Sequence, residues 1–157
     1  LGEGCYGMSS NLIPQINRVV FGDEEVLEIY GNDWDTPDGT CIRDFVHVMD
    51  VADAHCLVLK YLIDGIPKIL NLNVGTGKGY SVLELIKTYE KINKVKIKYE
   101  FHNRRIGDYP ISIADNRNIQ CILGWKPKRS LKTMCKDSWN YYFVRKMNNS
   151  QNINLKK

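Results

Sequence analysis

One arginine of this 157-residue sequence lies where an unpaired charge is not expected. Arg43 belongs to the short apolar run CIRDFV, in which a fully solvated arginine is an unusual choice. It could pair with Asp44 or Asp50, or it could point into a ligand cleft, and the composition of the run favours neither. Asp50 and Asp53 are themselves better interpreted as helix caps than as an acid/base pair.

A second group of charged residues could bind a phosphorylated ligand. Arg104 and Arg105 are followed by Ile-Gly and then by Asp108. Guanidinium groups can donate hydrogen bonds to a diphosphate, and a carboxylate three residues beyond Arg105 could accept hydrogen bonds from sugar hydroxyls. The alternative is a surface turn that contains an Arg–Asp ion pair.

The glycine-rich run GTGKG, residues 75–79, resembles a nucleotide-binding turn but departs from its spacing. Its third glycine is one position early for GxGxxG, and no Gly-Lys-Ser/Thr sequence ends it. We therefore predict a plain turn between a strand and a helix, and no cofactor cradle.

Composition and charge limit the classes of protein to which the chain can belong. Hydrophobic residues make up 43% and charged residues 25%, which is typical of one globular domain. Residues 1–78 carry a net charge of −7 and residues 79–157 one of +11, but the basic half lacks an aromatic stacking motif, so we expect no nucleic-acid binding. No apolar run is long enough to span a membrane, and we expect no membrane association.

The cysteines and histidines form no recognisable metal-binding pattern. The five cysteines are scattered without a CxxC pair, and His47, His55 and His102 do not cluster with them. We expect reduced thiols in a cytoplasmic protein and no metal site. Because the sequence opens on Leu1 in a glycine-rich loop, we expect it to be part of a longer protein.

Helix and strand signals alternate along the chain and predict an α/β protein. Helices are predicted after Ser10 or Asn11, from Asp50, from the capping box of Ser81 and Glu84, after Asp115 and from Ser130 to Met147. Strands are predicted over residues 26–30, 41–48, 68–74, 96–101 and 111–114.

Four segments of the sequence together form a specific pattern: Asn11-Leu12, LEIYGNDWDTPDGTCIRDFVHVMDVADAH, NLNVGTGKGYSVLELI, and RRIGD followed by LGW. This pattern resembles the carboxyl-terminal half of the UDP-glucose 4-epimerases, which are extended short-chain dehydrogenases/reductases. The resemblance runs from about Gly2 to about Tyr141. It implies the carboxyl-terminal substrate-binding lobe of an extended Rossmann-type epimerase, with a small mixed sheet and helices. Residues 1–146 would form this UDP-sugar-binding lobe, and residues 147–157 a disordered tail.

The resemblance also implies how the intact enzyme works. Tightly bound NAD would oxidise the sugar 4-hydroxyl, the 4-keto sugar would rotate, and the hydride would return to its other face. The catalytic Tyr-x-x-x-Lys motif and the NAD-binding GxxGxxG motif of the family are absent from this sequence. Tyr142 and Lys146 have the first spacing but lie in the last helix, so we assign no catalytic residue to this chain and expect it to be inactive alone.

Transferred position by position, the resemblance implies a set of substrate-binding residues. Asn11 and Leu12 would contact the diphosphate together with Arg43 and Arg105, and Asp108 would contact the ribose. The edge of the strand formed by Leu27, Glu28, Ile29 and Tyr30 would hold the uracil, and Ser112 would lie beside the hexose. His47 and Asp50 would be structural.

Two functions follow from these observations. The first is the substrate-binding half of a homodimeric UDP-hexose 4-epimerase that interconverts UDP-glucose and UDP-galactose. The small side chain of Ser112 would extend this activity to UDP-GlcNAc and UDP-GalNAc. The second is a stand-alone UDP-sugar-binding module without catalysis.

Overall fold

The computed structural model describes residues 11–65 and 69–154. Five helices and five short strands alternate along these residues. In chain order they are α1 (Leu12–Val20), β1 (Leu27–Tyr30), β2 (Ile42–Asp44), α2 (Val48–Ile63), β3 (Gly79–Ser81), α3 (Val82–Asn93), β4 (Tyr99–His102), β5 (Ile111–Ser112), α4 (Arg117–Leu123) and α5 (Leu131–Asn154).

The described strands form two small sheets. β1 pairs in parallel with β4, with Leu27 opposite Tyr99 and Tyr30 opposite His102. β2 is the central strand of the second sheet, antiparallel to β3 and parallel to β5. The second sheet is therefore mixed, and the α/β class predicted from the sequence is confirmed.

The main core lies between β1 and three helices. Its buried residues come from α1, β1, α3, the segment before β4, and α5: Ile16, Leu27, Ile29, Leu85, Ile86, Tyr89, Ile97, Leu131, Met134 and Cys135. Inside it, the Tyr89 hydroxyl donates a 2.5 Å hydrogen bond to Asn17 Oδ1, and Asn17 Nδ2 donates to Ser138 Oγ at 2.8 Å. The Tyr89 hydroxyl and the Asn17 amide, both buried, are thus paired, as burial requires.

Local signals in the sequence locate several helix starts correctly. Ser81 Oγ accepts a hydrogen bond from the Glu84 N–H, and the Glu84 carboxylate accepts one from the Ser81 N–H, which is the predicted capping box. Ser130 precedes α5 and accepts from the Thr133 N–H. For α1 the N-cap is Asn11, while Ser10 lies outside the described residues.

The start of α2 differs from the prediction. The helix begins at Val48, and its N-cap is His47, whose Nδ1 accepts from the Met49 N–H at 3.0 Å. The prediction that Asp50 and Asp53 cap this helix is therefore wrong. Asp50 is fully buried and accepts hydrogen bonds from the Arg129 guanidinium at 2.5 Å and from two N–H groups of the segment before α5.

Two further elements differ from their predictions. Residues 69–74 form no strand, although Leu72 and Val74 pack beside Trp125 in a second, smaller core. An apolar run predicts the strand, but a strand also needs a hydrogen-bonded neighbour. No described strand pairs with residues 69–74. α5 continues to Asn154, beyond the predicted end of this helix at Met147, and no Gly or Pro interrupts the helix there.

The outer surface of α2 is unusually apolar. Leu59 is 59% exposed and Ile63 is 73% exposed, and Leu57 and Leu62 are also exposed. Among the described residues, no helix combines the length and the apolar character that crossing a membrane requires.

The buried Asp50 carboxylate generates a prediction about stability. Replacing Asp50 with alanine removes the acceptor of two backbone N–H groups and the closer of the two carboxylates at the Arg129 guanidinium, so we expect the free energy of unfolding to fall by about 3 kcal/mol. Asp53→Ala is the matched control, because Asp53 contacts the same guanidinium at 3.3 Å but is 38% exposed. Its loss should cost less than about 1 kcal/mol. Urea-induced unfolding measures both values, and equal losses would contradict the structural role given to Asp50.

Candidate functional site

An open cleft of about 360 Å³ lies between the start of α1, the edge of β1 and the segments around β2 and β5. Eight of the ten residues predicted to bind substrate line it: Asn11, Leu12, Glu28, Ile29, Tyr30, Arg43, Arg105 and Asp108. These residues come from four segments that are far apart in the sequence. The fold therefore brings most of the predicted site together in one place.

Two predicted residues lie elsewhere. The Leu27 side chain is 1% exposed and belongs to the main core. Ser112 is exposed on β5, directly opposite Arg43 in the sheet, but does not line the cleft. The extended segment expected from Asp108 to Ser112 is interrupted by a bend at Pro110, whose carbonyl accepts from the Ile42 N–H at 2.7 Å.

The backbone of β1 presents one edge to its sheet and the other to the cleft. The Leu27 N–H donates to the Lys98 carbonyl and the Gly31 N–H donates to the His102 carbonyl, so the odd-numbered residues face β4. Backbone groups alternate between the two edges of a strand. The peptide groups of Glu28 and the Tyr30 N–H consequently face away from β4, along an edge that no described strand covers.

Arg43 is held in position by backbone carbonyls. Its Nη1 donates to the Ile42 carbonyl at 2.9 Å and to the Tyr109 carbonyl at 2.7 Å, and its Nη2 lies 3.4 Å from Asp108 Oδ1. Neither Asp44 nor Asp50 is its partner, so the pairings considered from the sequence are wrong. The guanidinium faces the cleft with one loosely held carboxylate beside it.

Asp44, the next residue, binds the glycine-rich turn. Its carboxylate accepts from the N–H groups of Thr76 and Gly77, both at 2.9 Å, from the Thr76 hydroxyl at 2.5 Å and from the Ala114 N–H at 3.3 Å. A side chain at Gly75 would lie 2.5 Å from the Ala114 side chain and 2.6 Å from the Asp44 carboxylate. The glycine at this position is thus needed for close packing, and the predicted structural role of the GTGKG run agrees with this geometry.

Both arginines of the RRIGD segment stack on aromatic rings. The Arg105 guanidinium carbon lies 3.7 Å from the centre of the Tyr30 ring, at the cleft. The Arg104 guanidinium carbon lies 4.1 Å from the Trp34 ring, and its Nε donates to Asp33 at 2.8 Å. This hydrogen bond lowers the pKa of the Asp33 carboxyl. Adjacent arginines therefore have different surroundings, and only Arg105 of the two lines the cleft.

The loop before β2 is fixed to the start of α3. Asp38 accepts from the backbone N–H and hydroxyl of Thr40 and, at 2.5 Å, from the Ser81 hydroxyl. Partial burial raises the pKa of the Asp38 carboxyl, but these hydrogen bonds outweigh it and the net shift is downward. Gly39 has φ +78°, and a side chain there would lie 2.2 Å from the Asn32 carbonyl oxygen. These contacts hold the loop next to Cys41, which lines the cleft.

Four lining residues were not predicted: Gln15, Cys41, Phe45 and Val82. The period of a strand could have identified two of them, because Cys41 and Phe45 are two residues on either side of Arg43 and share its face. Burial raises the pKa of the Cys41 thiol. A protonated thiol and an aromatic ring add apolar surface to the cleft.

This arrangement is suited to binding. Arg43 and Arg105 offer charge-assisted donors, Asp108 offers an acceptor, and the β1 edge offers backbone groups to a planar ring. Tyr142 and Lys146 are remote from it: both side chains bind Asp23, and neither lines the cleft. The described lining therefore fits an anionic ligand that also carries hydroxyls and a base.

A comparison with protein-family models matches residues 4–138 to the family described as GDP-mannose 4,6 dehydratase. A UDP-glucose 4-epimerase of Bacillus subtilis is 41% identical over 147 residues, which cover 90% of this chain and 41% of the relative. The chain thus spans about two fifths of the length of the curated relatives that it matches.

Solved structures similar to this chain include further 4-epimerases. The UDP-glucose-4-epimerase from Stenotrophomonas maltophila, crystallised with NAD and formylated UDP-arabinopyranose, superposes with a TM-score of 0.88 at 41% identity, over 96% of this chain and 44% of the other. The UDP-Glc/GlcNAc 4-epimerase from Campylobacter jejuni superposes with a TM-score of 0.76 at 37% identity, over 88% of this chain and 42% of the other.

Proposed function

The chain belongs to the GDP-mannose 4,6 dehydratase family, and from this premise we propose that it is the substrate-binding part of a UDP-hexose 4-epimerase. The intact enzyme interconverts UDP-glucose and UDP-galactose. The observation that carries the proposal is that two arginines 62 positions apart in the numbering, Arg43 and Arg105, line one cleft with Asp108 and the β1 edge. The names of the relatives and solved structures support the same substrate class.

Each part of the cleft has a proposed partner on the UDP-sugar. The diphosphate binds Arg43 and Arg105, next to Asn11 and Leu12 at the start of α1. Asp108, held 3.4 Å from Arg43, accepts hydrogen bonds from the ribose hydroxyls. The uracil lies against the β1 edge, with Leu27 contributing packing from the core beneath rather than contact.

NAD is the proposed cofactor of the intact enzyme, where it accepts and returns a hydride. The described residues of this chain do not form its cradle, because the N–H groups of the glycine-rich turn are directed at the Asp44 carboxylate. We therefore propose that NAD binds the part of the protein that corresponds to the rest of the relatives' length. This chain supplies the groups that bind and orient the sugar nucleotide.

One surface feature supports a larger protein. The exposed apolar residues of α2, including Leu59 and Ile63, would be covered by the further lobe in the intact enzyme. Cys56 and Cys121 are exposed free thiols, which suits a cytoplasmic location. We also propose a homodimer, on the basis of the resemblance to the epimerases.

The first prediction separates the proposed enzyme from a stand-alone binding module. We expect the purified 157-residue chain neither to retain NAD nor to epimerise UDP-glucose, because it provides no dinucleotide cradle among its described residues. Product analysis of UDP-glucose incubated with the chain and NAD measures this. Detectable epimerisation would refute the assignment of catalysis to another lobe. An upstream coding sequence without GxxGxxG and Tyr-x-x-x-Lys would favour the stand-alone module.

The second prediction tests the diphosphate contacts in the intact enzyme. Arg105→Ala and Arg43→Ala should each weaken UDP binding by about 2 to 4 kcal/mol, because the diphosphate loses a charge-assisted partner, while NAD content stays unchanged. Arg104→Ala is the matched control, since Arg104 stacks on Trp34 outside the cleft lining. Calorimetry with UDP measures all three variants. If Arg104→Ala weakened binding as much as Arg105→Ala, the specific role of Arg105 would be abandoned.

The third prediction concerns the range of substrates and depends on Ser112. We propose that this small, exposed residue lies beside the hexose and leaves room for a 2-acetamido group, so the enzyme also accepts UDP-GlcNAc and UDP-GalNAc. Ser112→Tyr should remove the activity on acetylated sugars by steric overlap and spare UDP-galactose. The measurement is kcat/KM for both kinds of substrate in both enzymes. If the wild type turned over neither acetylated sugar, the proposal would be contradicted.

A further inference from the structure

Three side chains with metal-binding groups converge on one face of the β1–β4 pair. They are Glu28 from β1 and Glu100 and His102 from β4, and one ligand atom from each lies within 4.8 Å of the others. Glu28 is directly opposite Glu100, and residues two apart on a strand share a face. Two strands and their register, not a loop, therefore determine this grouping.

The chemistry of the three groups favours a transition metal over calcium or magnesium. Ca²⁺ and Mg²⁺ select oxygen ligands, whereas an imidazole nitrogen with carboxylates is a set that Zn²⁺ accepts. His102 Nε2 already lies 2.9 Å from Glu100 Oε1, and ligand atoms around a tetrahedral zinc ion are about 3.4 Å apart. All three residues are exposed, so their side chains are accessible to an ion from solvent.

Electrostatics gives a second reason for a cation at this face. Like charges directly opposite each other on paired strands are destabilising, and Glu28 and Glu100 are such a pair. The Arg105 guanidinium stacks on the Tyr30 ring. The Tyr30 hydroxyl donates to one oxygen of Glu28, so its other oxygen remains available as a metal ligand.

We propose that Glu28, Glu100 and His102 form a zinc-binding site that joins β1 to β4. A pair of strands is a marginal sheet without further support, and a metal bridging both strands would stabilise the wall that carries Tyr30. From the sequence we expect no metal site, because the histidines do not cluster with the cysteines. The site does not depend on the proposed function, since its ligands are defined by the β1–β4 register alone.

The test is a titration of Zn²⁺ into the chelator-treated 157-residue chain, followed by competition with a chromophoric chelator. We expect one equivalent to bind. His102→Ala and Glu28→Gln, which remove ligands from different strands, should each weaken binding by at least the roughly 10- to 100-fold seen when a metal loses an outer-shell partner. His55→Ala is the matched control, because His55 is an exposed histidine on α2. Circular dichroism of each variant verifies folding.

Two further measurements make the proposal falsifiable. Zn²⁺ should raise the midpoint of thermal unfolding in the wild-type chain and not in His102→Ala, since the ion joins the two strands only when its ligands are present. Binding should persist when the exposed thiols are removed by Cys56→Ser and Cys121→Ser. Three results would each overturn the proposal: loss of Zn²⁺ binding when the thiols are removed, unchanged Zn²⁺ binding in His102→Ala, or equal affinity for Ca²⁺ and Zn²⁺.

Discussion

The geometry of the cleft depends on the hydrogen bonds that the Asp44 carboxylate accepts. Its donors lie in the glycine-rich turn and at Ala114, so the carboxylate joins β2 to the segments on both of its sides. β2 has three residues, too few for its ladder alone to fix its position. Because neighbouring side chains of a strand point to opposite faces, holding Asp44 on one face directs Arg43 to the other. Asp44 thus anchors the strand, and the adjacent Arg43 faces the cleft.

The glycine-rich turn has the geometry of an anion-binding turn, but its role is structural. Successive N–H groups in such a turn form a concave site for an anion. Here the anion is a carboxylate of the same chain, and Gly75 lets it approach closely. An internal anion of this kind holds the turn in place whether or not a ligand is bound.

The sequence predicted those features whose determinants are local. The capping box of Ser81 and Glu84, the period of β1 and the helix after Ser130 each depend on residues within one turn or one strand. It did not predict partners that the fold brings from a distance. Arg43 could be assigned to Asp44 or Asp50 because both are close in sequence, while its contact with Asp108 spans 65 positions. His47 was missed as a cap because histidine is not among the preferred capping residues.

The long sequence separations at the cleft also have a consequence for the order of assembly. Asp44 meets Ala114 across 70 positions, and Asp50 meets Arg129 across 79. Contacts of this kind form slowly, since loop closure must precede them. During synthesis at about 5 to 20 residues per second, the segment after β2 waits several seconds for its partners to leave the ribosome. During that interval Arg43 and Asp50 remain hydrated charges on an open chain, and β3 leaves the ribosome before β5, the other neighbour of β2.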